Sequence, residues 1–213
     1  MLKIKVFVFN PIMENTYLLY DETQEAVIID CGASNEKERK QLTDFVKEKN
    51  LNLKRLLNTH LHFDHALGNR FIYETYGLKP EYDRAEEAEE AVSGLKKLNS
   101  MFSPFKYELI YAEHFLEHED EIVFGNTQLT VLSTPGHSPG GLCYYSNKDG
   151  CVFTGDTLFH RDIGRSDLPG GNHKKLIQSI QNYLFTLPDN TVVYPGHEQP
   201  TTIEEEKLYN PHF

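Results

Sequence analysis

Histidine and aspartate side chains recur in four short segments of this 213-residue sequence, at spacings that suit metal binding. The set has seven members: His60, His62, Asp64, His65, His137, Asp156 and His197. Imidazole and carboxylate groups together bind zinc, iron or manganese, and no cysteine lies among the seven to favour a softer ion. We therefore predict a metal centre built from these side chains.

The spacing within the first segment indicates two ions. His60 and His62 are two residues apart, so on an extended backbone their rings point the same way. Asp64 and His65 are adjacent, so their side chains face elsewhere and would bind a second ion. Seven ligands are too many for one tetrahedral site, and they fit two ions that share a bridging carboxylate.

Each segment follows an apolar run that reads as a buried strand. The four runs cover residues 53–58, 129–132, 151–153 and 191–194. Every run stops at Gly, Pro or Thr just before a histidine or aspartate. Because α/β architectures place their ligands at one edge of a sheet, we expect the seven side chains to converge there.

The remaining elements must position these strands. Further strands are predicted at 3–8, 16–20, 26–30, 121–124 and 128–132. Amphipathic helices are predicted at 35–50 and 176–187. Residues 81–98 are acidic and then basic, which predicts a solvent-facing helix without a function of its own. The segment around 100–105 breaks the pattern and is expected to form a loop.

Length and composition fit one globular domain over residues 1–213. A net charge of −11 gives little support to nucleic-acid binding. The N-terminal run contains Lys3 and Lys5 and reads as a strand instead of a signal peptide, and no stretch is long enough to span a bilayer. Three cysteines without C-x-x-C spacing favour a reducing compartment. We predict a cytoplasmic protein that acts on a small molecule.

The sequence resembles the metallo-β-lactamase superfamily, and its glyoxalase II (hydroxyacylglutathione hydrolase) branch in particular. The motifs that carry the resemblance are the H-x-H-x-D-H run at residues 60–65, TPGHSPG at 134–140, TGDTLF at 154–159, GRSD at 164–167 and YPGH at 194–197. The resemblance extends over nearly the whole chain, from residues 15–17 to residues 210–211. The resemblance implies an α/β fold of the αββα type, a sandwich of two packed mixed β-sheets with helices outside.

The resemblance also implies a role for each of the seven residues. One ion would be held by His60, His62 and His137, and the other by Asp64, His65 and His197. Asp156 would bridge the two ions, which we expect to be zinc, with iron or manganese as alternatives. Asp64 would in addition be catalytic, because its second oxygen can orient the attacking hydroxide.

Two arginines in the GRSD region bear on the substrate. Arg161 or Arg165 could bind an anionic substrate group, whereas an Arg165–Asp167 pair could simply brace the loop after Asp156. The five other histidines match no motif, and no site is predicted at them: His114, His118, His160, His173 and His212.

The implied activity is hydrolysis of a thioester such as a hydroxyacylglutathione, by attack of a metal-bound hydroxide on the carbonyl carbon. Full-length glyoxalase II enzymes carry a C-terminal helical domain that grips glutathione, and here only residues 198–213 follow His197, as in the short bacterial branch. The chief alternative is a persulfide dioxygenase with one iron at His60, His137 and Asp156. A lactonase is a further alternative. A β-lactamase, a nuclease and a metal-stabilised binding module are less favoured.

Overall fold

A five-stranded sheet forms the first half of the computed structural model, which describes residues 1–101 and 107–213. Its strands lie side by side in chain order: β1 (Lys3–Phe9), β2 (Glu14–Tyr20), β3 (Glu25–Ile29), β4 (Asn52–Leu57) and β5 (Pro80–Glu81). The first three are antiparallel neighbours, and β3, β4 and β5 run parallel. The N-terminal strands predicted from the alternating pattern are therefore confirmed.

The second sheet has six strands, and a small hairpin stands beside it. The remaining strands are β6 (Glu121–Phe124), β7 (Thr127–Ser133), β8 (Leu142–Ser146), β9 (Cys151–Gly155), β10 (Leu158–Phe159), β11 (Asp162–Ile163), β12 (Val192–Pro195) and β13 (Thr201–Thr202). Across the sheet the order is β13-β12-β9-β8-β7-β6, in which β9 and β12 pair in parallel and the other neighbours are antiparallel. Strands β10 and β11 pair with each other and, among the described residues, with no further strand.

Helices connect and cover these strands. They are α1 (Glu36–Glu48), α2 (Phe63–Ala66), α3 (Asn69–Tyr76), α4 (Glu89–Met101), α5 (His173–Ser179) and α6 (Ile203–Tyr209). Within the described ranges, no helix combines the length and the apolar character that a membrane crossing requires. The loop expected around residues 100–105 lies outside the described residues from position 102 onward.

The packing makes four layers. Side chains such as Tyr17, Leu129 and Phe153 fill the space between the two sheets. On the outside, α1 buries Leu42 against the first sheet, and α5 buries Leu176 against the second. This is the αββα sandwich of two mixed sheets that was expected, and the prediction is confirmed.

Asparagine side chains cap the N-termini of the two outer helices, α1 and α5. Asn35 accepts hydrogen bonds from the backbone N–H groups of Lys37 and Glu38, as an N-cap residue does. Asn172 caps α5 in the same way. The helix predicted to end before Pro188 is α-helical only to Ser179, because residues Ile180–Leu184 form a π-helical turn.

The prediction of one solvent-facing helix over residues 81–98 is wrong in part. The segment is divided into the end of β5, a 3₁₀ turn over Arg84–Glu87 and α4. Ala91 is buried, Leu95 packs into a small apolar cluster with Leu61 and Tyr82, and Glu86 is only 1% exposed. The charge pattern misleads here because a carboxylate can be buried when backbone N–H groups bind it.

All three cysteines are buried and unpaired. Burial raises the pKa of Cys31 and Cys151 to about 12 and that of Cys143 to about 11. These thiols therefore act as small apolar side chains in the core.

Candidate metal centre

The structure brings all seven predicted residues to one place. His60 and His62 follow β4, and Asp64 and His65 lie in the one-turn helix α2. Loops after three further strands supply the others: His137 after β7, Asp156 after β9 and His197 after β12. The predicted convergence of the seven side chains at one sheet edge is confirmed. Their assignment as metal ligands stays a prediction.

Three imidazoles form the first group, which consists of His60, His62 and His137. Nε2 of His137 lies 2.8 Å from Nδ1 of His62 and 3.3 Å from Nε2 of His60. Burial lowers the pKa of all three rings, that of His62 to about 3. The rings are therefore neutral at pH 7, and a neutral imidazole is the form that binds a cation.

The second group consists of Asp64, His65 and His197. Oδ2 of Asp64 lies 3.2 Å from Nε2 of His197 and 3.7 Å from Nε2 of His65. Burial disfavours the charged form of each histidine, but the nearby carboxylates outweigh burial and raise both histidine pKa values. His65 in turn outweighs burial at Asp64 and lowers the pKa of its carboxyl group. Without a cation, the histidines of this group therefore bind protons more tightly than those of the first group.

Asp156 stands between the groups and offers one oxygen to each. Its Oδ2 lies 3.5 Å from Nε2 of His137, and its Oδ1 lies 3.2 Å from Nε2 of His65. Oδ1 of Asp156 and Nε2 of His65 are buried, and neither atom has a hydrogen-bond partner among the described residues. Buried polar atoms without partners are rare, and two that face each other suit a shared cation. The donor set therefore fits two divalent ions with a bridging carboxylate.

Outer contacts fix the orientation of three of the rings. The hydroxyl of Thr59 lies 3.0 Å from Nδ1 of His60, and the backbone carbonyl oxygen of Arg165 lies 2.7 Å from Nδ1 of His137. Oδ2 of Asp30 lies 2.9 Å from Nδ1 of His65. Contacts of this kind turn the other ring nitrogen toward the metal side, which raises metal affinity.

Three buried carboxylates near the site were missed from the sequence, namely Glu14, Asp30 and Glu86. Asp30 directly follows β3 and also accepts hydrogen bonds from Thr59, so an acidic residue at a strand end was the available signal. Glu86 accepts hydrogen bonds from the backbone N–H groups of Leu61 and Gly140, and burial raises the pKa of its carboxyl group. Nothing in the acidic run distinguishes Glu86 from its neighbours.

The connection between β1 and β2 holds the second group in place. Asn10 donates to the backbone carbonyl of Asp64 at 3.0 Å. Asn15 donates its backbone N–H to Gly196 at 2.7 Å. A Cβ atom on Gly196 would lie 2.4 Å from Oδ1 of Asp156, so the loop before His197 can pass the Asp156 carboxylate only with glycine at this position.

A cleft of about 390 Å³ opens over the two groups. Apart from predicted ligands, its lining is mostly apolar: Ile12, Phe63, Phe159, Ile163 and Leu168, with Asp162, Arg165 and Glu198 as the charged exceptions. A cavity of this size and character suits a small organic substrate.

Of the two predicted substrate-binding arginines, only Arg165 lines the cleft. Its guanidinium forms a two-point ion pair with Asp167, in which both N–O distances are 2.8 Å. Arg161 instead lies 4.4 Å from the centre of the Tyr209 ring and donates to the backbone carbonyl of Glu205. No other histidine of the described residues belongs to a candidate ligand cluster.

Comparison with known proteins gives consistent matches. A family model described as the metallo-beta-lactamase superfamily matches residues 10–197. A probable metallo-hydrolase of Streptococcus pyogenes is 35% identical over 206 residues, which cover 94% of this chain and 85% of the relative. A hydroxyacylglutathione hydrolase of Haemophilus influenzae is 30% identical over 211 residues, or 99% of this chain and 97% of the relative. A mitochondrial persulfide dioxygenase of Homo sapiens is 33% identical over 201 residues, or 92% and 70%.

Solved structures resemble the chain over almost its full length. A crystal structure described as BLEG-1 B3 metallo-beta-lactamase has a TM-score of 0.86 and 35% identity, and the match covers 98% of each chain. A crystal structure of TTHA1623 in a di-iron-bound form has a TM-score of 0.83 and 31% identity, and the match covers 98% of this chain and 100% of that one.

Proposed function

The chain belongs to the metallo-beta-lactamase superfamily, and we propose that it is a metal-dependent hydrolase of a small thioester such as a hydroxyacylglutathione. Proteins of this superfamily bind divalent metals, and one similar structure is described as a di-iron-bound form. The observation that carries the proposal is the placement of Asp156, whose two oxygens face two different ligand groups. A pair of cations bridged in this way is suited to hydrolysis.

The seven residues would hold two ions, of which zinc is the expected kind, and such ions supply Lewis acidity and a water of lowered pKa. Asp156 fixes the spacing between the two groups. Asp64 directs Oδ2 at the second group and lines the cleft, so its carboxylate can orient a water toward the substrate carbonyl carbon. Because His60, His62 and His137 are neutral, they can bind a cation without first losing a proton.

The cleft supports a thioester in particular. A thiol leaving group has a pKa near about 8.5 and departs without help from a general acid. Among the described residues that line the cleft, no lysine, tyrosine or cysteine offers such an acid. The apolar walls suit the acyl part of the substrate, and Arg165 at the rim suits a carboxylate of the thiol part.

A direct assay tests this proposal. The purified protein, analysed for metals, is expected to hydrolyse S-lactoylglutathione, to lose activity with a chelator, and to recover it with zinc. His62→Ala should abolish turnover, whereas His114→Ala, at an exposed histidine outside the cleft, should not. Activity that survives both chelation and His62→Ala would contradict the proposal.

The second candidate is a persulfide dioxygenase, which the 33% identity to the human enzyme of that name favours. One iron held by His60, His137 and Asp156 would serve it. Oxygen uptake with glutathione persulfide by anaerobically purified, iron-containing protein, without thioester hydrolysis, would decide for this function. A cephalosporin and a lactone belong in the same substrate panel, since one similar structure is described as a metallo-beta-lactamase.

A further inference from the structure

One buried carboxylate joins both chain segments that carry the first group. Oε2 of Glu86 accepts a hydrogen bond from the backbone N–H of Leu61 at 3.0 Å, and Oε1 accepts one from Gly140 at 2.8 Å. Leu61 separates His60 from His62, and Gly140 lies three residues after His137. The side chain of Glu86 therefore connects the loop of two first-group imidazoles to the loop of the third.

The contact is close and shielded from water. A Cβ atom on Gly140 would lie 2.9 Å from Cγ of Glu86, so a larger residue there would push the two apart. Leu61 and Leu95 pack in one apolar cluster beside the turn that carries Glu86. Because water cannot replace the two hydrogen bonds at a buried position, losing the acceptor would leave two N–H groups unsatisfied.

The second group is held by other contacts. Asp64 is bound through its backbone carbonyl by Asn10, and His65 through its backbone carbonyl by the N–H of Cys31. The ring of His65 rests on Asp30. Helix α2 therefore stays attached to the first sheet whether or not Glu86 binds Leu61.

We propose that Glu86 is a positioning residue for the first group alone. By fixing the distance between the His60–His62 segment and the loop of His137, it sets the affinity of that group for its cation. Nε2 of His137 lies 2.8 Å from Nδ1 of His62 and 3.3 Å from Nε2 of His60. Without Glu86 the two loops can separate, and a cation that binds must first bring these nitrogens together again, which lowers its affinity. The affinity of the second group does not depend on Glu86.

Zinc affinity in two backgrounds tests the proposal. His197→Ala keeps every member of the first group, and His137→Ala keeps every member of the second, so each background retains one of the two groups complete. We expect Glu86→Gln to weaken zinc binding by about tenfold or more in the His197→Ala background, the size typical of lost outer contacts. In the His137→Ala background the change should stay within about twofold. Competition with a chromophoric chelator measures both values.

Glu206→Gln is the matched control. Glu206 is also fully buried and accepts hydrogen bonds from the backbone N–H of Arg161 and the side chains of Thr201 and Asn210. It touches neither ligand loop, so a general loss of stability would make Glu86→Gln and Glu206→Gln behave alike. Equal effects of these two variants, or an equal effect of Glu86→Gln in both backgrounds, would overturn the proposal.

A milder variant guards against misfolding. Glu86→Asp keeps the charge but is one methylene shorter, so it can reach only one of the two N–H groups. It should weaken zinc binding less than Glu86→Gln, again only in the His197→Ala background, and shift the visible spectrum of bound cobalt there. An unshifted spectrum with unchanged affinity would count against the proposal. Failure of both backgrounds to bind zinc would overturn the metal centre itself, which is a different result.

Discussion

The first and second groups share Asp156 but differ in charge. In the first group three buried imidazoles are neutral, because burial lowers their pKa values. In the second group carboxylates raise the pKa values of His65 and His197, so a cation must compete with protons for these two rings more than for those of the first group. Two sites a few ångströms apart thus meet a cation in different protonation states, and proton release belongs mainly to the second.

Removing the shared residue should have the largest effect. Asp156→Asn keeps the shape of the side chain but removes the charge that serves both groups. We expect the metal content to fall below one ion per chain, and kcat/KM for the thioester to drop by about a thousandfold or more. Elemental analysis and steady-state kinetics measure the two values. Retention of two ions would show that Asp156 does not bridge them.

Lowering the pH should change the zinc affinities of the two groups by different amounts. A protonated imidazole cannot bind a cation, so a raised pKa means that affinity falls as the pH falls below it. Zinc affinity should therefore fall as the pH falls through the raised pKa values of His65 and His197. We expect that loss in the His137→Ala background and a nearly constant affinity in the His197→Ala background. If zinc affinity depended on pH in the same way in both variants, the proposed difference in histidine protonation between the two groups would be wrong.

Replacing Asp30 tests the support of the second group, as replacing Glu86 tests that of the first. Asp30→Asn weakens the contact to Nδ1 of His65 directly, whereas it reaches the first group only through Thr59, whose hydroxyl donates to Asp30 and lies 3.0 Å from Nδ1 of His60. Zinc affinity should fall by about tenfold in the His137→Ala background and by less in the His197→Ala background. If Glu86→Gln weakens zinc binding at the first group and Asp30→Asn weakens it mainly at the second, then each group depends on its own buried carboxylate. A loss confined to the His197→Ala background would reverse that assignment.

The smallest effect is expected at the rim of the cleft. Arg165 and Asp167 form an exposed ion pair, and such pairs add little stability. If the guanidinium also meets a substrate carboxylate, Arg165→Gln should raise KM for S-lactoylglutathione a few-fold and leave both zinc affinities and kcat unchanged. An unchanged KM would leave Arg165 only the role of bracing its loop.

Much of this arrangement could be predicted from the sequence. Apolar runs that end in Gly, Pro or Thr before a histidine or aspartate mark strands with ligands at one sheet edge, and the structure places them there. Helix α1 begins where Asn35 predicts, because an N-cap is a local interaction between neighbouring residues.

The supporting residues could not be predicted in the same way. Glu86 lies in a run of acidic residues, and only the approach of Leu61 and Gly140 from distant parts of the chain makes it a buried acceptor. Asp30 likewise depends on His65, which lies 35 positions later. Long-range partners of this kind leave no periodic pattern, so composition around Glu86 pointed to solvent instead.

The buried cysteines have a practical consequence for enzymology. Cys31, Cys143 and Cys151 lie inside the fold, and burial keeps their pKa values near 11 to 12, so they are protonated and shielded at neutral pH. An aromatic disulfide reagent added during turnover would react with the product thiol and not with the folded enzyme. The absorbance of the released aromatic thiol can therefore follow catalysis continuously. A slow additional increase of up to three thiol equivalents per chain would report unfolding of the enzyme.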